Sequence, residues 1–239
     1  MNPQLLKITP DLAVSVATRS AAASALLAEI ATTWSPASFA NSLGAEDMVL
    51  TDLILKARLP INIFSLDTGR LPAETYALMA AVEKHYQQPL TIFFPHAEDV
   101  EFYVRHHGIN AFYESVSLRK ACCAMRKVAP LKRALVGKRA WITGMRAEQA
   151  ATRGNLAIHE YDESNRLEKF NPLAEWSEKE IWAYLLQHEV PYNALHKNFY
   201  PSIGCAPCTR AVSPGEDIRS GRWWWEAPQF KECGLHSKA

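Results

Sequence analysis

The sequence of 239 residues has no long unbroken apolar run near its start. Residues 1–30 hold no basic segment followed by an apolar core. Ser, Thr and Arg19 interrupt Ala13–Ile30, so this stretch reads as an amphipathic helix of a soluble protein, not as a signal peptide or membrane span. An excess of one charge is missing too. A formal net charge of +1 argues against a general binder of nucleic acid or membrane surfaces, which carries a large basic excess. Cysteine is scarce and odd in number, and five thiols cannot make a complete set of disulfides. A chain of this length with 48% hydrophobic residues buries a core without covalent staples, which points to the cytoplasm. Internal repeats, low-complexity stretches and a long linker are also lacking. One domain over 1–239 is expected, with a core at about 35–190 and a cysteine loop and mobile tail at about 191–239.

What is present is an alternation of strands and helices. Ala37–Asn41, Ile61–Leu66, Leu90–Phe94 and Arg139–Thr143 are short apolar runs that predict strands. Met48–Ala57, a helix opened by Pro72, and Asp99–His107 lie between them. Strands separated by helices predict a single doubly wound, mostly parallel α/β sheet. Ala157–Tyr161 and Leu167–Phe170 read as strands flanking the turn at Asp162–Arg166. Ser177–His188 reads as a helix with a Ser-x-x-Glu capping box closed by Glu180. After Pro191 the chain is rich in Pro, Gly, Trp and charge, without a long periodic run.

Three strand ends carry polar loops. Ser42-Leu43-Gly44-Ala45-Glu46-Asp47 opens a helix, where backbone N–H groups collect phosphate oxygens and Gly44 admits close approach. A plain helix cap at Ser42 or Asp47 explains the same residues. Asp67-Thr68-Gly69-Arg70 and Thr143-Gly144-Met145-Arg146, with Arg153 downstream, end two further strands. Ligands of doubly wound sheets bind along this edge, and three such loops favour a nucleotide crevice.

The cysteines fall as Cys122 and Cys123, then Cys205 and Cys208, then Cys233. Two tight pairs suit a four-thiolate site, and spacing leaves both zinc and an iron–sulfur cluster open. Arg119, Lys120, Arg126 and Lys127 surround the first pair and Arg210 follows the second, placing cations where thiolates and an anionic substrate would meet. The plainer alternative is a solvated helix face. Cys233 stands between Lys231 and His236, which favour its thiolate, while Arg219, Arg222 and Trp223-Trp224-Trp225 lie upstream.

Together, Ser-Leu-Gly-Ala-Glu-Asp (42–47), Leu-Asp-Thr-Gly (66–69), Cys-Cys-x-x-Arg-Lys (122–127), Thr-Gly-x-Arg (143–146), Gly-Cys-x-x-Cys-Thr (204–209) and Lys-Glu-Cys-Gly-Leu-His (231–236) resemble the assimilatory adenylylsulfate reductases. These form the iron–sulfur branch of the phosphosulfate reductases, and the match runs from about 35 to 236. The resemblance implies an adenine-nucleotide α-hydrolase-like sheet and a [4Fe–4S] cluster on Cys122, Cys123, Cys205 and Cys208. It also implies thioredoxin-dependent reduction of adenosine 5′-phosphosulfate to sulfite and AMP through an S-sulfocysteine on Cys233. Substrate contacts fall to Ser42, Gly44, Asp67, Thr68, Gly69, Lys127, Gly144, Arg153, Arg219 and Arg222. Arg146 is a competitor of Arg153, and Lys127 would lie between cluster and substrate. No nucleic acid or membrane is called for, and a homo-oligomer is compatible with this reading. The nearest alternative is the same chemistry on the 3′-phosphorylated nucleotide. An RNA sulfur transferase would need a Ser-Gly-Gly-x-Asp-Ser loop, from which Leu43, Glu46 and Asp47 depart. A binding or electron-transfer module would not need Cys233.

Overall fold

The computed structural model describes residues 3–149, 156–213, 215–227 and 231, so Arg153, Cys233 and His236 lie outside the described residues. Six strands make one sheet: β1 (Ala37–Ala40), β2 (Ile61–Leu66), β3 (Thr91–Phe93), β4 (Ala140–Ile142), β5 (His159–Asp162) and β6 (Leu167–Phe170). Their order is β3-β2-β1-β4-β6-β5, parallel except for the antiparallel pairing of β5 with β6. The chain therefore winds outward from β1 to β3, then restarts on the other side of β1 at β4. That reversal is the switch point of a doubly wound sheet, where a crevice opens at the strands' carboxyl ends.

Side-chain alternation assigns the two faces. Ile61, Ile63, Ala140 and Ile142 enter one core, whereas Phe64 and Trp141 enter the other. The helices are α1 (Pro10–Thr33), α2 (Ala45–Lys56), α3 (Ala73–Tyr86), α4 (Ala97–His107), α5 (Val116–Cys123), α6 (Ala129–Ala134) and α7 (Glu178–Gln187). The larger core takes Leu27 and Ile30 of α1, Met48 and Leu50 of α2, and Ile181 and Leu185 of α7. Leu131 and Ala134 of α6 cover the opposite face. By length and composition α1 is apolar enough to cross a membrane. Val16, Ala23, Leu27, Ile30 and Ala31 are nonetheless buried in the core, and Arg19 pairs with Glu175. The capping box at Ser177 and Glu180 forms as its spacing predicts.

The charge run at 119–127 departs from the solvated-face reading, because Arg119 and Arg126 are both buried. Its helix is also irregular: α5 passes through a π-helical turn at Ala124–Val128 into α6. A strict 3.6-residue period does not run through such a turn, so apolar spacing gives no continuous signal there.

Candidate nucleotide cleft and cysteine site

The loop after β1 is built by its own side chains. Asn41 accepts the Leu43 N–H at 2.7 Å and donates to Thr51 Oγ1 at 2.9 Å, and Leu43 takes a left-handed φ of 62° with its side chain buried. Gly44 is the N-cap of α2 and contributes no side-chain cap bond, and Gly44, Ala45 and Glu46 line the crevice, where the start of a helix favours an anion. Ser42 donates both its N–H and its hydroxyl to Asp47 Oδ2 at 2.6 Å. Burial pushes the Asp47 carboxyl up to about 7, opposed by the Ser42 bonds and by the Gly144 N–H. Asp47 thus ties the loop after β1 to the loop after β4. A Cβ at Gly144 would stand 2.1 Å from Asp47 Oδ1.

A cleft of about 270 Å³ opens at this edge, and Ser42, Gly44, Thr68, Lys127, Gly144, Arg219 and Arg222 line it. Asp67 and Gly69, read from sequence as substrate contacts, are not on its wall. Asp67 Oδ1 instead accepts Gly69 N–H at 2.7 Å and the Tyr76 hydroxyl at 2.9 Å, while Gly69 turns the chain with a φ of 69°. Arg146 does line the cleft, but its guanidinium is engaged by Glu46, Glu148 and the Trp176 carbonyl. Motif reading missed Trp182 and His196, which also face the cleft with their rings 5.0 Å apart. Burial holds the His196 imidazole below the usual histidine range. Trp182 lies on α7 in the larger core and His196 is buried in the short turn Ala194–Asn198, so neither sits in a strand-end loop and no local pattern marks them.

Behind the cleft, Cys122, Cys123, Cys205 and Cys208 line a second, smaller cavity with Arg70, Arg119, Arg126 and Lys127. Lys127 faces both spaces. Cys205 caps the short turn Ala206–Cys208, and its thiol donates to Thr68 Oγ1 at 3.3 Å. Arg126 bonds the Thr68 carbonyl at 2.6 Å, so Thr68 touches both sites. Burial pushes the Cys208 thiol up to about 12, reinforced by Cys205 and opposed by Lys127 and Arg222. Burial likewise raises the Cys122 thiol, against Arg126.

By donor type, four thiols on one cavity suit a metal centre. Among the described residues no cysteine is in a disulfide, and the four thiols turn to one cavity edged by cations. Trp223 packs with Cys205 and Cys208, and its buried indole N–H has no hydrogen-bond partner among the described residues. Such a donor suits a sulfur acceptor. The described residues contain no group of three or more His, Cys, Asp or Glu placed to share one metal ion.

The segment after the second cysteine pair is tied to both sites. The Trp223 N–H bonds the Cys208 carbonyl at 3.2 Å, and Thr209 forms a bridge with Arg222. Glu226 takes Arg119 in a bidentate pair, at 2.9 and 2.7 Å. Arg222 reaches the Ile203 carbonyl at 3.2 Å. Its guanidinium fills the space over Gly204, where a Cβ would meet it at 2.2 Å. Arg219 donates to the Lys231 carbonyl at 3.2 Å.

Comparison with known proteins agrees with this layout. Residues 36–211 match the phosphoadenosine phosphosulfate reductase domain model. The chain is 57% identical over 221 residues to adenosine 5′-phosphosulfate reductase of Allochromatium vinosum, covering 92% of this chain and 86% of that protein. With the enzyme of the same name from Burkholderia cepacia it shares 53% over 229 residues, covering 96% and 90%. Among solved structures, phosphoadenylyl-sulfate reductase from Candida auris in a phosphate complex superposes with a TM-score of 0.68 at 26% identity, covering 87% and 99%. Candida glabrata FMN adenylyltransferase, at 15% identity, TM-score 0.58 and coverage of 94% and 77%, shares the fold. A doubly wound sheet, a helix-opening loop at its switch point and this extent of likeness lead to one assignment: the chain belongs to the phosphoadenosine phosphosulfate reductase domain family.

Proposed function

We propose that this chain reduces adenosine 5′-phosphosulfate to sulfite and AMP, with a thioredoxin-type dithiol protein as reductant, in assimilatory sulfate reduction in the cytoplasm. The observation that carries the reading is the convergence of Lys127, Arg219 and Arg222 on the cleft that the helix-opening loop of Ser42 and Gly44 also lines. The phosphosulfate is polyanionic and its attacker is a thiolate, so attack requires cations that neutralise charge and align the sulfur. The names of the relatives favour the nucleotide without a 3′-phosphate.

The Cys233 thiolate attacks the sulfate sulfur, the bond from sulfur to the bridging phosphate oxygen breaks, and AMP leaves. Cys233 then carries the SO3 group as an S-sulfocysteine. A thiolate of the dithiol partner attacks the Cys233 sulfur and expels sulfite. Its second thiol resolves the mixed disulfide, so the partner supplies both electrons. Lys231, two positions before Cys233 in the sequence, accepts a hydrogen bond from Arg219 of the cleft's cationic set. Arg153 completes this set in our assignment. Cys122, Cys123, Cys205 and Cys208 would hold a [4Fe–4S] cluster, whose negative charge the neighbouring cations would offset and whose role would be electrostatic and structural, without an open coordination position. The single domain spans 1–239 in this reading.

The test is sulfite release from adenosine 5′-phosphosulfate and its 3′-phosphorylated form, side by side with reduced thioredoxin. Faster release from the former is expected, and Cys233→Ser should bind nucleotide yet make no sulfite. Release only from the phosphorylated form would reverse the substrate choice. Sulfite from neither, or turnover by Cys233→Ser, would remove the reaction.

A further inference from the structure

We propose that Glu226 is a positioning residue: through Arg119 and Trp223 it holds Arg222 against the cleft, so that a carboxylate outside the cleft lining governs affinity for the anionic end of the nucleotide. The inference rests on the functional reading above, since it takes Arg222 as a contact of the phosphosulfate.

Arg222 and Arg119 share one surface. Their guanidinium groups lie 4.7 and 4.8 Å from the Trp223 ring centroid. Both arginines are buried, and Trp223 is 1% exposed. Two cations over one buried ring repel each other unless one is neutralised, and Glu226 does so for Arg119 through a fork of two hydrogen bonds. The side chains at this pair are 1% and 3% exposed, so solvent does not replace the missing charge when Glu226 is altered. The backbone adds to the same geometry. Glu226 N–H bonds the Trp223 carbonyl at 2.9 Å, closing a turn from the indole to the carboxylate. Trp223 itself sits at a φ of 44°, a strained value for a large residue that persists only where its surroundings impose it. Arg119 also bonds the Cys123 thiol, one helical turn along α5. Glu226 thereby grips the helix that carries the first cysteine pair while its own chain segment carries Arg219 and Arg222.

Glu226→Gln keeps the shape and removes the charge. Titration calorimetry of the full chain with adenosine 5′-phosphosulfate, and separately with adenosine, reads the consequence. Binding of the phosphosulfate should weaken about tenfold or more, the scale of one charge-assisted contact, while adenosine binding stays at the wild-type level. Metal content of the cysteine site should stay at the wild-type level. Where Glu226→Gln does not fold, Glu226→Asp, which withdraws the carboxylate from the two-bond fork to Arg119, should show a smaller loss of the same selectivity. Unchanged phosphosulfate affinity would overturn the proposal, as would equal losses for both ligands. A loss of metal that matches the loss of affinity would assign Glu226 to the cysteine site instead. A wild-type chain that binds adenosine but not its phosphosulfate would defeat the functional reading first, and this inference with it.

Discussion

Asp47 is a carboxyl in surroundings that oppose its charge, although Ser42 and Gly144 bond it. Its folded pKa is raised from 3.8 to about 7. Between those values the folded chain binds more protons than the unfolded one, so its contribution to stability is complete below the unfolded pKa and is lost as pH rises through about 7. We expect the wild-type chain to lose stability relative to Asp47→Asn as pH rises from about 5 to about 7, by up to roughly 1.4 kcal/mol per pH unit. Urea unfolding of both proteins across that window measures it. Parallel pH profiles would return Asp47 to an ordinary carboxylate. The same residue shows why motif reading reaches only part of a site. Ser42 to Asp47 stands out as a phosphate loop in sequence, but its bond to Gly144 joins residues about a hundred positions apart and leaves no local mark. Asp67 and Gly69 have the spacing of a ligand loop, and the Asp67 carboxylate also shapes that loop by accepting from Gly69 and Tyr76.

At the level of elements, β2, β6 and the capped helix α7 are plain in the sequence, because alternation and the capping box are local signals. The strand order is not, since it depends on which edges meet after the chain has turned back on β1. Nor is the pairing of the cysteine loop with the strap that follows it, which rests on a single bridge between Thr209 and Arg222. That pairing makes Gly204 a specific requirement. Gly204→Ala would place a methyl group 2.2 Å from the Arg222 guanidinium, whose long side chain yields more readily than the backbone does. The variant should keep its melting temperature within a few degrees while its KM for adenosine 5′-phosphosulfate rises about tenfold, the value of one charge-assisted contact. Steady-state kinetics beside a thermal melt separates the two effects. A collapsed melting temperature would mean that the loop, not the arginine, had moved.

For the molecule as a whole, the cleft and the cysteine cavity share Lys127 and are joined by one strap, so the state of one must register in the other. Anaerobically purified protein should carry about four irons per chain. Removing them should leave the sheet's circular dichroism in place and weaken phosphosulfate binding more than adenosine binding, since the strap supplies Arg219 and Arg222. Stoichiometric zinc would reject the cluster, and equal binding with and without metal would reject the coupling. The π-helical turn at Ala124–Val128 carries a consequence of another kind. The helix must meet two registers that do not agree: Arg119, Cys123 and Arg126 turn toward the thiols, whereas Pro130, Leu131 and Ala134 are buried in the next helical segment. Each residue advances an α-helix by about 100°, so one extra residue in a turn reconciles the two by rotating everything after it. Deleting a single residue there would yield a more regular helix and a worse protein. Either Leu131 would leave the core or Lys127 would leave the cleft, and no side-chain substitution could restore both at once.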